Sequence, residues 1–353
     1  MEAIDYFNCA EVRLALNDLK GAMADYNKAI ELKPDFAEAY TNRGNLKTKM
    51  NDLQGALIDF NKAIELKHDL AEAYYGRAHL KKKMNDYKGA IIDYDKAIEL
   101  NPDYGEAYYL RGTIKSDMDD KLGAMADFNK AMALKPDLFE AYHARSFLRE
   151  ELNDVQGAIE DLDKAIALKP DSSESYILRG YLKSMSNDVR EAKEDYDKAI
   201  ELDPDFGYTY SRRGRLKLML NDVQGAKEDY DKGIAKHSSD AFAYNGRAYV
   251  YLELRNFEKA LEDVNMAIKL DEDNYDYFDS RGEILMTMGK LNEALEDLNY
   301  ALSKNIDFVP SLENRAKCYR KLAEAEQDET KKADLFAQAE ADEKKAESLK
   351  EKK

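Results

Sequence analysis

The sequence has 353 residues, of which 35% are charged and 44% are hydrophobic. Its 54 Lys and Arg residues against 71 Asp and Glu give a net charge of −17, which argues against nucleic acid or an anionic membrane surface as a partner. No apolar run approaches the ~20 residues of a membrane span, so we expect no membrane insertion.

The amino-terminal segment and the two cysteines bear on the cellular compartment. Residues 1–16 lack a basic start followed by an uninterrupted apolar core, so we expect no signal peptide here. Cys9 and Cys318 stand at opposite ends of the chain and are expected to be free thiols. We therefore expect a cytoplasmic protein, although an exported protein that had already lost its leader would have the same sequence.

The chain repeats itself with a period of 34 residues. Residues 37–70, 71–104 and 105–138 are successive copies, and an arginine recurs at this interval from Arg43 to Arg315. Only six prolines occur, while Ala, Leu, Lys, Glu and Asp are abundant, which indicates a largely helical protein.

Each period predicts a pair of antiparallel helices. In residues 37–70 the first helix is indicated by four residues at helical spacing: Tyr40, Arg43, Gly44 and Lys47. Asn51 tolerates the left-handed conformation at a helix end, and Asp52 can cap the next helix. The second helix is indicated by a stripe of small and aromatic residues and ends near Lys67: Ala56, Phe60 and Ala63.

This pattern resembles the tetratricopeptide repeat family, whose signature places aromatic, small, alanine and proline residues at these spacings. In residues 71–104 the matching residues are Tyr74, Ala78, Ala90, Tyr94, Ala97 and Pro102. The resemblance implies an all-α fold, a right-handed α-solenoid superhelix of tandem 34-residue helix-turn-helix repeats. It also implies a concave groove, lined by the first helices, that holds a segment of a partner protein.

The repeat array is predicted to occupy residues 3–322. Nine full repeats are expected, at 3–36, 37–70, 71–104, 105–138, 139–172, 173–206, 207–240, 241–274 and 275–308, with a partial tenth from residue 309. Residues 323–353 are rich in Ala, Glu and Lys and are predicted to form a polar capping helix with a frayed tail.

Two charged columns depart from the family pattern. Arginine stands at Arg43, Arg77, Arg111, Arg145, Arg179, Arg213, Arg247, Arg281 and Arg315, and aspartate stands at Asp25, Asp59, Asp93, Asp127, Asp161, Asp195, Asp229, Asp263 and Asp297. Because the arginines begin one repeat later than the aspartates, we expect each aspartate to pair with the arginine of the following repeat, as Asp25 with Arg43. The alternative is that both columns are solvated surface charge. A column of tyrosines also recurs at this interval, beginning Tyr40, Tyr74 and Tyr108, and it could stack against the same arginines.

No catalytic, metal-binding or cofactor-binding constellation is predicted. The four histidines fall at different phases of the repeat: His68, His79, His143 and His237. Some family members bind a carboxylate of a chaperone tail with a lysine at the start of the first helix. Here that position is acidic in five repeats, which argues against such a clamp: Glu38, Glu72, Glu106, Glu140 and Glu174.

The groove-facing phase contains aromatic and basic residues. The aromatic stripe is Tyr75, Tyr109, Phe147, Tyr181 and Tyr249, and the basic residues are Lys49, Lys82, Lys83, Arg212 and Arg215. We expect a partner segment to contact the first four rings, with Lys82 and Lys83 meeting acidic residues of that segment. The alternative is that the rings pack on neighbouring first helices.

The sequence therefore predicts a non-enzymatic scaffold or adaptor that binds a protein or peptide of unknown identity. We expect a monomer or weak self-association. The alternative function is a self-assembling structural protein whose terminal repeats stack end to end, because Tyr6, Phe7 and Cys9 have no preceding helix to cover them.

Overall fold

The computed structural model describes residues 1–351, and these contain twenty α-helices and no strand. Successive first helices begin 34 residues apart, and each is followed by an antiparallel second helix. The predicted all-α architecture of tandem helix pairs is confirmed. The chain divides into two compact units, Met1–Pro170 and a second that begins at Asp171.

The first unit holds five helix pairs. Its helices are α1 (Ala3–Ala15), α2 (Leu19–Leu32), α3 (Ala37–Lys49), α4 (Leu53–Leu66), α5 (Ala71–Lys83), α6 (Tyr87–Leu100), α7 (Gly105–Asp117), α8 (Lys121–Leu134), α9 (Phe139–Glu151) and α10 (Val155–Leu168).

The second unit also holds five helix pairs, the last of them longer. Its helices are α11 (Ser173–Met185), α12 (Val189–Leu202), α13 (Gly207–Met219), α14 (Val223–Lys236), α15 (Ala241–Glu253), α16 (Phe257–Leu270), α17 (Tyr275–Thr287), α18 (Leu291–Lys304), α19 (Val309–Ala325) and α20 (Glu329–Lys350).

The turn inside each pair forms as the sequence predicts. Asn51 has a φ of 64°, in the left-handed region, and the carboxylate of Asp52 accepts a hydrogen bond of 3.0 Å from the backbone N–H of Gly55. The residue equivalent to Asn51 also has a positive φ in the other complete repeats: Asn17, Asn85, Asp119, Asn153, Asn187, Asn221, Arg255 and Gly289. The left-handed residue ends one helix and the capping residue begins the next, so the chain reverses at a fixed position.

Small residues bring the helices close enough for the buried rings to fill the spaces between them. Ala56, Ala63 and Phe60 are fully buried on α4. A Cβ atom added to Gly76 on α5 would lie 2.4 Å from the Phe60 ring, so the absence of a side chain there lets the ring approach this helix. Packing of this kind sets the spacing of consecutive first helices, which form the candidate binding face.

Helix α20 covers the last first helix of the second unit. Its Ala339 and Ala346 are buried, and Arg320 of α19 donates to Glu343 at 2.7 and 2.6 Å. The helix continues to Lys350, so residues 348–350 are helical where we expected a frayed tail. Lys352 and Lys353 lie outside the described residues.

The arginine and aspartate columns form a ladder of ion pairs in which each arginine from Arg43 to Arg281 pairs with the aspartate of its own repeat, so the expected pairing with the following repeat is wrong. Arg43 donates from Nε and Nη2 to both carboxylate oxygens of Asp59, at 2.8 and 2.7 Å. The turn at Asn51 brings the second helix back against the first, and the two side chains therefore face each other across one pair. The same two bonds join Arg77–Asp93, Arg111–Asp127, Arg145–Asp161, Arg179–Asp195, Arg213–Asp229, Arg247–Asp263 and Arg281–Asp297.

The two ends of the ladder are completed by residues outside the repeat register. In the first repeat, which has no ladder arginine, Arg13 Nε lies 3.1 Å from Asp25 Oδ2. At the other end, Arg315 donates from Nε and Nη2 to Asp342 of α20, each at 2.8 Å. These two residues account for the offset between the columns that suggested cross-repeat pairing.

The ladder arginines also donate a hydrogen bond to the preceding repeat, where the acceptor is an Asn or Asp two residues after the ladder aspartate. Arg43 Nη1 donates to Asn27 Oδ1 at 2.8 Å, while its guanidinium carbon lies 5.3 Å from the centre of the Tyr40 ring. Equivalent acceptors from the preceding repeat are Asn61, Asp95, Asn129, Asp197, Asp231, Asn265 and Asn299. Because the ladder aspartates are buried, the columns are not solvated surface charge.

Candidate functional site

The predicted groove residues lie on the first helices, where three pockets form between neighbouring repeats. One pocket, named here the Tyr75 pocket, lies in the first unit between α3 and α5. The Tyr181 pocket lies between α11 and α13, and the Asp279 pocket is formed mainly by α13, α15 and α17, with a contribution from α19; both are in the second unit.

The Tyr75 pocket is basic and has a volume of about 440 Å³. It is lined by Lys49 and Lys83, both exposed, together with Tyr75 and His79. The Tyr75 ring stacks on Tyr104 with centroids 4.7 Å apart, and burial raises the pKa of its hydroxyl. Burial and the nearby lysine charges lower the pKa of His79, so its imidazole is neutral near pH 7. The pocket thus presents a stacked ring and two ammonium groups, of which that of Lys83 donates to the carbonyl oxygen of Thr48 at 3.3 Å.

Three other predicted groove residues of the first unit lie outside this pocket. Tyr109 packs towards Phe128, with centroids 6.3 Å apart, and Phe147 is 41% exposed. Lys82 donates to Thr113 Oγ1 at 2.9 Å. The two rings therefore differ: Tyr109 packs mainly on its own repeat, while Phe147 remains accessible.

The Tyr181 pocket is smaller, at about 300 Å³, and joins a ring to two arginines. Tyr181, Arg212 and Arg215 all line it, as do Met185 and Met219. The guanidinium carbon of Arg212 lies 4.5 Å from the centre of the Phe242 ring, a cation–π contact that holds this side chain in place. Arg215 is exposed and also lines the Asp279 pocket.

The Asp279 pocket is the largest of the three, with a volume of about 570 Å³. Aromatic residues of two first helices line it, together with the residue that precedes α19: Phe242 and Tyr249 of α15, Tyr277 of α17, and Phe308. Asn245, Asp276 and Asp279 add polar groups to the same walls. Gly246 is also part of the lining, and a Cβ atom there would lie 2.2 Å from the Tyr230 ring. The absence of a side chain at Gly246 therefore lets the Tyr230 ring form part of the pocket wall.

Asp279 is a buried carboxylate held by neutral donors. It is 4% exposed, and it accepts a hydrogen bond of 2.7 Å from Ser311 Oγ and two of 3.3 Å from Asn314 Nδ2. Burial raises its pKa to about 6, with a smaller contribution from the charges of Glu283 and Asp276, although the two donors act in the opposite direction. Among the described residues, no lysine or arginine forms an ion pair with Asp279.

Sequence reasoning named Tyr249, Arg212 and Arg215 here but missed the polar half of the Asp279 pocket. Asn245 and Asp279 occupy the same phase of the repeat as Tyr75 and Tyr109, at multiples of 34 residues from them. The signal was therefore present. Asn245 and Asp279 differ from the aromatic and basic residues expected to bind at this phase.

The remaining reactive groups do not converge on a centre. Within the part of the chain that the structure describes, no three His, Cys, Asp or Glu side chains are grouped to hold a metal ion. Burial raises the pKa of Cys318 to about 11, so this thiol is a poor nucleophile. Glu38, at the position where a chaperone-binding relative has lysine, is paired with Lys67 at 2.9 Å. Over the described residues, the longest apolar stretches of helix fall short of a membrane span.

Comparison with known sequences identifies the repeat. A tetratricopeptide repeat model matches residues 37–70, 71–104 and 241–274. A second model of the same description matches residues 105–138, 139–172 and 173–206, and a TPR repeat model matches residues 10–50. No curated protein matches the sequence at a significant level.

Comparison with solved structures finds matches at low sequence identity. Pseudomonas aeruginosa PilF is 15% identical, with a TM-score of 0.54 over 60% of this chain and 97% of PilF. A tetratricopeptide repeat protein from Parabacteroides merdae is 21% identical, with a TM-score of 0.48 over 67% and 93% of the two chains. Yeast Tom70 is 18% identical, with a TM-score of 0.43 over 97% and 95%. At these identities, the likeness to PilF shows the fold alone.

Proposed function

The chain belongs to the tetratricopeptide repeat family, and from this premise we propose that it is a non-enzymatic scaffold or adaptor that binds a segment of another protein along its first helices. Such repeats support protein interaction in general. The proposal is specific in placing the partner on the pockets of the first-helix face.

The observation that carries the proposal is the convergence of predicted groove residues on these pockets. Seven of the ten line one or more of them: Lys49, Tyr75, Lys83, Tyr181, Arg212, Arg215 and Tyr249. Rings supply a large contact area with little loss of rotamer entropy, and the basic side chains supply charge for an acidic partner residue. Lys49 and Lys83 are exposed and available for this role in the first unit.

The alternative function, end-to-end self-assembly, has one supporting feature and one opposing feature. Val12 of α1 and Leu16, which follows this helix, are 60% and 75% exposed, so this end of the chain offers an apolar surface. The last first helix, in contrast, is covered by α20 through Arg315, Arg320 and their carboxylate partners. A head-to-tail polymer would require α20 to leave. Light scattering that rises steeply with protein concentration would favour assembly, and a constant monomer mass favours the scaffold.

The scaffold function is tested by selecting binding peptides from a random displayed library and measuring their affinity for variants. For a peptide that occupies the first unit, we expect Tyr75→Ala to weaken binding about 30-fold, equivalent to about 2 kcal/mol for an anchoring ring. Lys49→Ala removes an exposed charge, and Lys83→Ala removes an exposed charge with its hydrogen bond to Thr48 O; we expect both to lower the association rate and its salt dependence.

The matched control is Lys62→Ala, on the second helix α4, where the side chain pairs only with exposed Glu65. Circular dichroism verifies that each variant keeps its helicity. If selected peptides bind Tyr75→Ala, the lysine variants and wild type with equal affinity, the first-helix face of this unit is not the binding surface.

A further inference from the structure

The Asp279 pocket contains buried acceptors without a cationic partner. Asp279 has only the neutral donors Ser311 and Asn314, and the buried Oδ1 atom of Asn245 has no hydrogen-bond partner among the described residues. The ladder aspartates of the same unit are equally buried, and each of them is paired with an arginine. Asp279 is therefore buried like the ladder aspartates, but it forms no ion pair among the described residues, although Arg215 also lines the pocket.

The walls of the pocket suit a long side chain that ends in a cation. Its volume of about 570 Å³ exceeds the size of one side chain, and rings of Phe242, Tyr249 and Phe308 provide apolar surface for an aliphatic stem. Aromatic faces also attract a planar guanidinium group. Asp276 lies exposed at the rim, where it can meet an entering cation first.

The charges around the pocket favour a cation over an anion. Asp276 and Asp279 on α17 and Arg215 on α13 line the pocket. Two further charges lie beside it: Glu283 on α17 acts on Asp279, and Arg212 on α13 stacks on the Phe242 ring of the wall. Helix α19 contributes only the neutral donors Ser311 and Asn314 to the carboxylate, and the ionisable group of α15 at the pocket is the Tyr249 phenol. Three carboxylates against two guanidinium groups leave the surroundings of the pocket negative at neutral pH.

We propose that the Asp279 pocket binds an arginine side chain of the partner segment, with the guanidinium group accepted by Asp279, Asp276 and Asn245. This assignment rests on the proposed scaffold function and deepens it by naming one residue that the partner supplies. Arginine is the best match because its five N–H donors can satisfy acceptors on two helices at once, and its plane stacks on the lining rings.

The test uses a minimal probe, so that it does not depend on knowing the partner. The probe is acetyl-Ala-Arg-Ala-amide, and its neutral isostere, with citrulline in place of arginine, is the matched peptide. Binding to the full chain is followed by NMR of ¹³C-methyl methionine, with Met219 in the pocket as reporter and Met23 in the first unit as remote reference. We expect a saturable shift at Met219 with the arginine peptide and at least tenfold weaker binding of the citrulline peptide.

Two variants that each remove one negative charge distinguish binding in the pocket from a general electrostatic effect on peptide affinity. Asp279→Asn is expected to abolish the preference for arginine, whereas Asp273→Asn, which removes an exposed carboxylate nearby, retains it. Equal affinity of the two peptides for wild type, or an equal effect of the two variants, would overturn the proposal. Unchanged methyl spectra of the free variants, away from Met219, verify that both remain folded.

The affinity for arginine should also depend on pH. A guanidinium binds the ionised carboxylate, and since the pKa of Asp279 is about 6, protonation competes with binding below that value. We expect the arginine peptide to bind roughly tenfold more weakly at pH 5 than at pH 7, with a flat profile for Asp279→Asn. A wild-type affinity that does not change over this range would contradict the role of Asp279.

The outcomes separate this inference from the proposed function. If displayed peptides bind the first-helix face but the arginine tripeptide leaves Met219 unshifted, the arginine assignment fails and the scaffold function stands. If the tripeptide binds but no displayed peptide depends on pocket residues in either unit, the scaffold function fails and the arginine site stands.

Discussion

Replacing Asp127 with alanine is expected to destabilise the first unit by about 3–5 kcal/mol, the loss typical of breaking a buried ion pair. Asp127 is 4% exposed and accepts hydrogen bonds from Arg111 at 2.9 and 2.6 Å. Lys115 Nζ lies 2.9 Å from the same carboxylate. Removing Asp127 leaves two partly buried cations side by side without their shared counter-ion, which adds repulsion to the lost hydrogen bonds.

The experiment compares denaturant unfolding of Asp127→Ala with that of Asp137→Ala, which removes an exposed carboxylate from the following loop. The control is expected to change stability by less than about 1 kcal/mol. Hydrogen exchange of α7 and α8 locates the loss, since each helix pair contacts only its neighbours. A loss no larger than that of the control would contradict the buried ion pair.

A double-mutant cycle distinguishes the pairing within a repeat from the pairing between repeats. Coupling of Asp127 to Arg111 should be large, and coupling to Arg145, which donates to Asp161, should be near zero. The sequence suggested the opposite partner because the arginine column begins one repeat after the aspartate column. That argument failed because Arg13 and Asp342, neither of them in the repeat register of its column, complete the two ends.

The helices themselves could be predicted because their signals are local and repeated. Asn51 and Asp52 fix a helix end and the next cap through backbone preferences alone, and the structure places α3 and α4 on either side of them. Partner choice within the ladder depends instead on which side chains face each other across a helix pair. Pairing within a repeat joins residues 16 apart, such as Arg43 and Asp59, and pairing between repeats joins residues 18 apart, such as Asp25 and Arg43. Both separations are compatible with a period of 34 residues, and only the packing of the two helices distinguishes them.

The candidate site was predictable only in part, for a related reason. The phase of the repeat placed Tyr75 and Tyr249 on the first-helix face, and both line pockets. The position of a residue in the repeat does not predict whether its side chain is buried. Asp279 would be a solvated carboxylate if α19 did not pack over it with Ser311 and Asn314. The unpaired state of this carboxylate therefore depends on a neighbouring repeat whose sequence departs from the others.

A buried carboxylate without a cation should reduce stability, and this links Asp279 to function. The ladder shows that this chain readily supplies an arginine to a buried aspartate, as Arg281 does for Asp297 at 2.7 Å. Groups held in an unfavourable charge state are concentrated at binding and catalytic sites, where a ligand supplies the missing interaction. We therefore expect the ionised Asp279 carboxylate to lower the stability of the free protein, and a partner's arginine to supply the missing ion pair.

This leads us to expect that Asp279→Asn stabilises the second unit at pH 7.5 by about 2 kcal/mol. Burial raises the pKa of Asp279 from 3.8 to about 6, and at about 1.4 kcal/mol per unit its ionised form opposes folding by about 3 kcal/mol above pH 6. Asparagine keeps an acceptor for Ser311 but carries no charge, and the loss of one bond to Asn314 reduces the gain by about 1 kcal/mol.

The sign follows from proton binding. Between pH 4 and pH 6 the folded state of wild type holds a proton that the unfolded state releases, so wild-type stability falls as pH rises through this window. The advantage of Asp279→Asn should therefore be absent at pH 4 and fully present at pH 7.5, as measured by denaturant unfolding with hydrogen exchange of α17 and α19. Asp273→Asn, at an exposed site, should show no such dependence.

The stability of Asp279→Asn at pH 7.5 decides whether the carboxylate is destabilising. If the variant is less stable than wild type, the neighbours of Asp279 stabilise its ionised form and no cation is required. If it is more stable and also loses arginine binding, the same group that weakens the free fold is the one that recognises the partner.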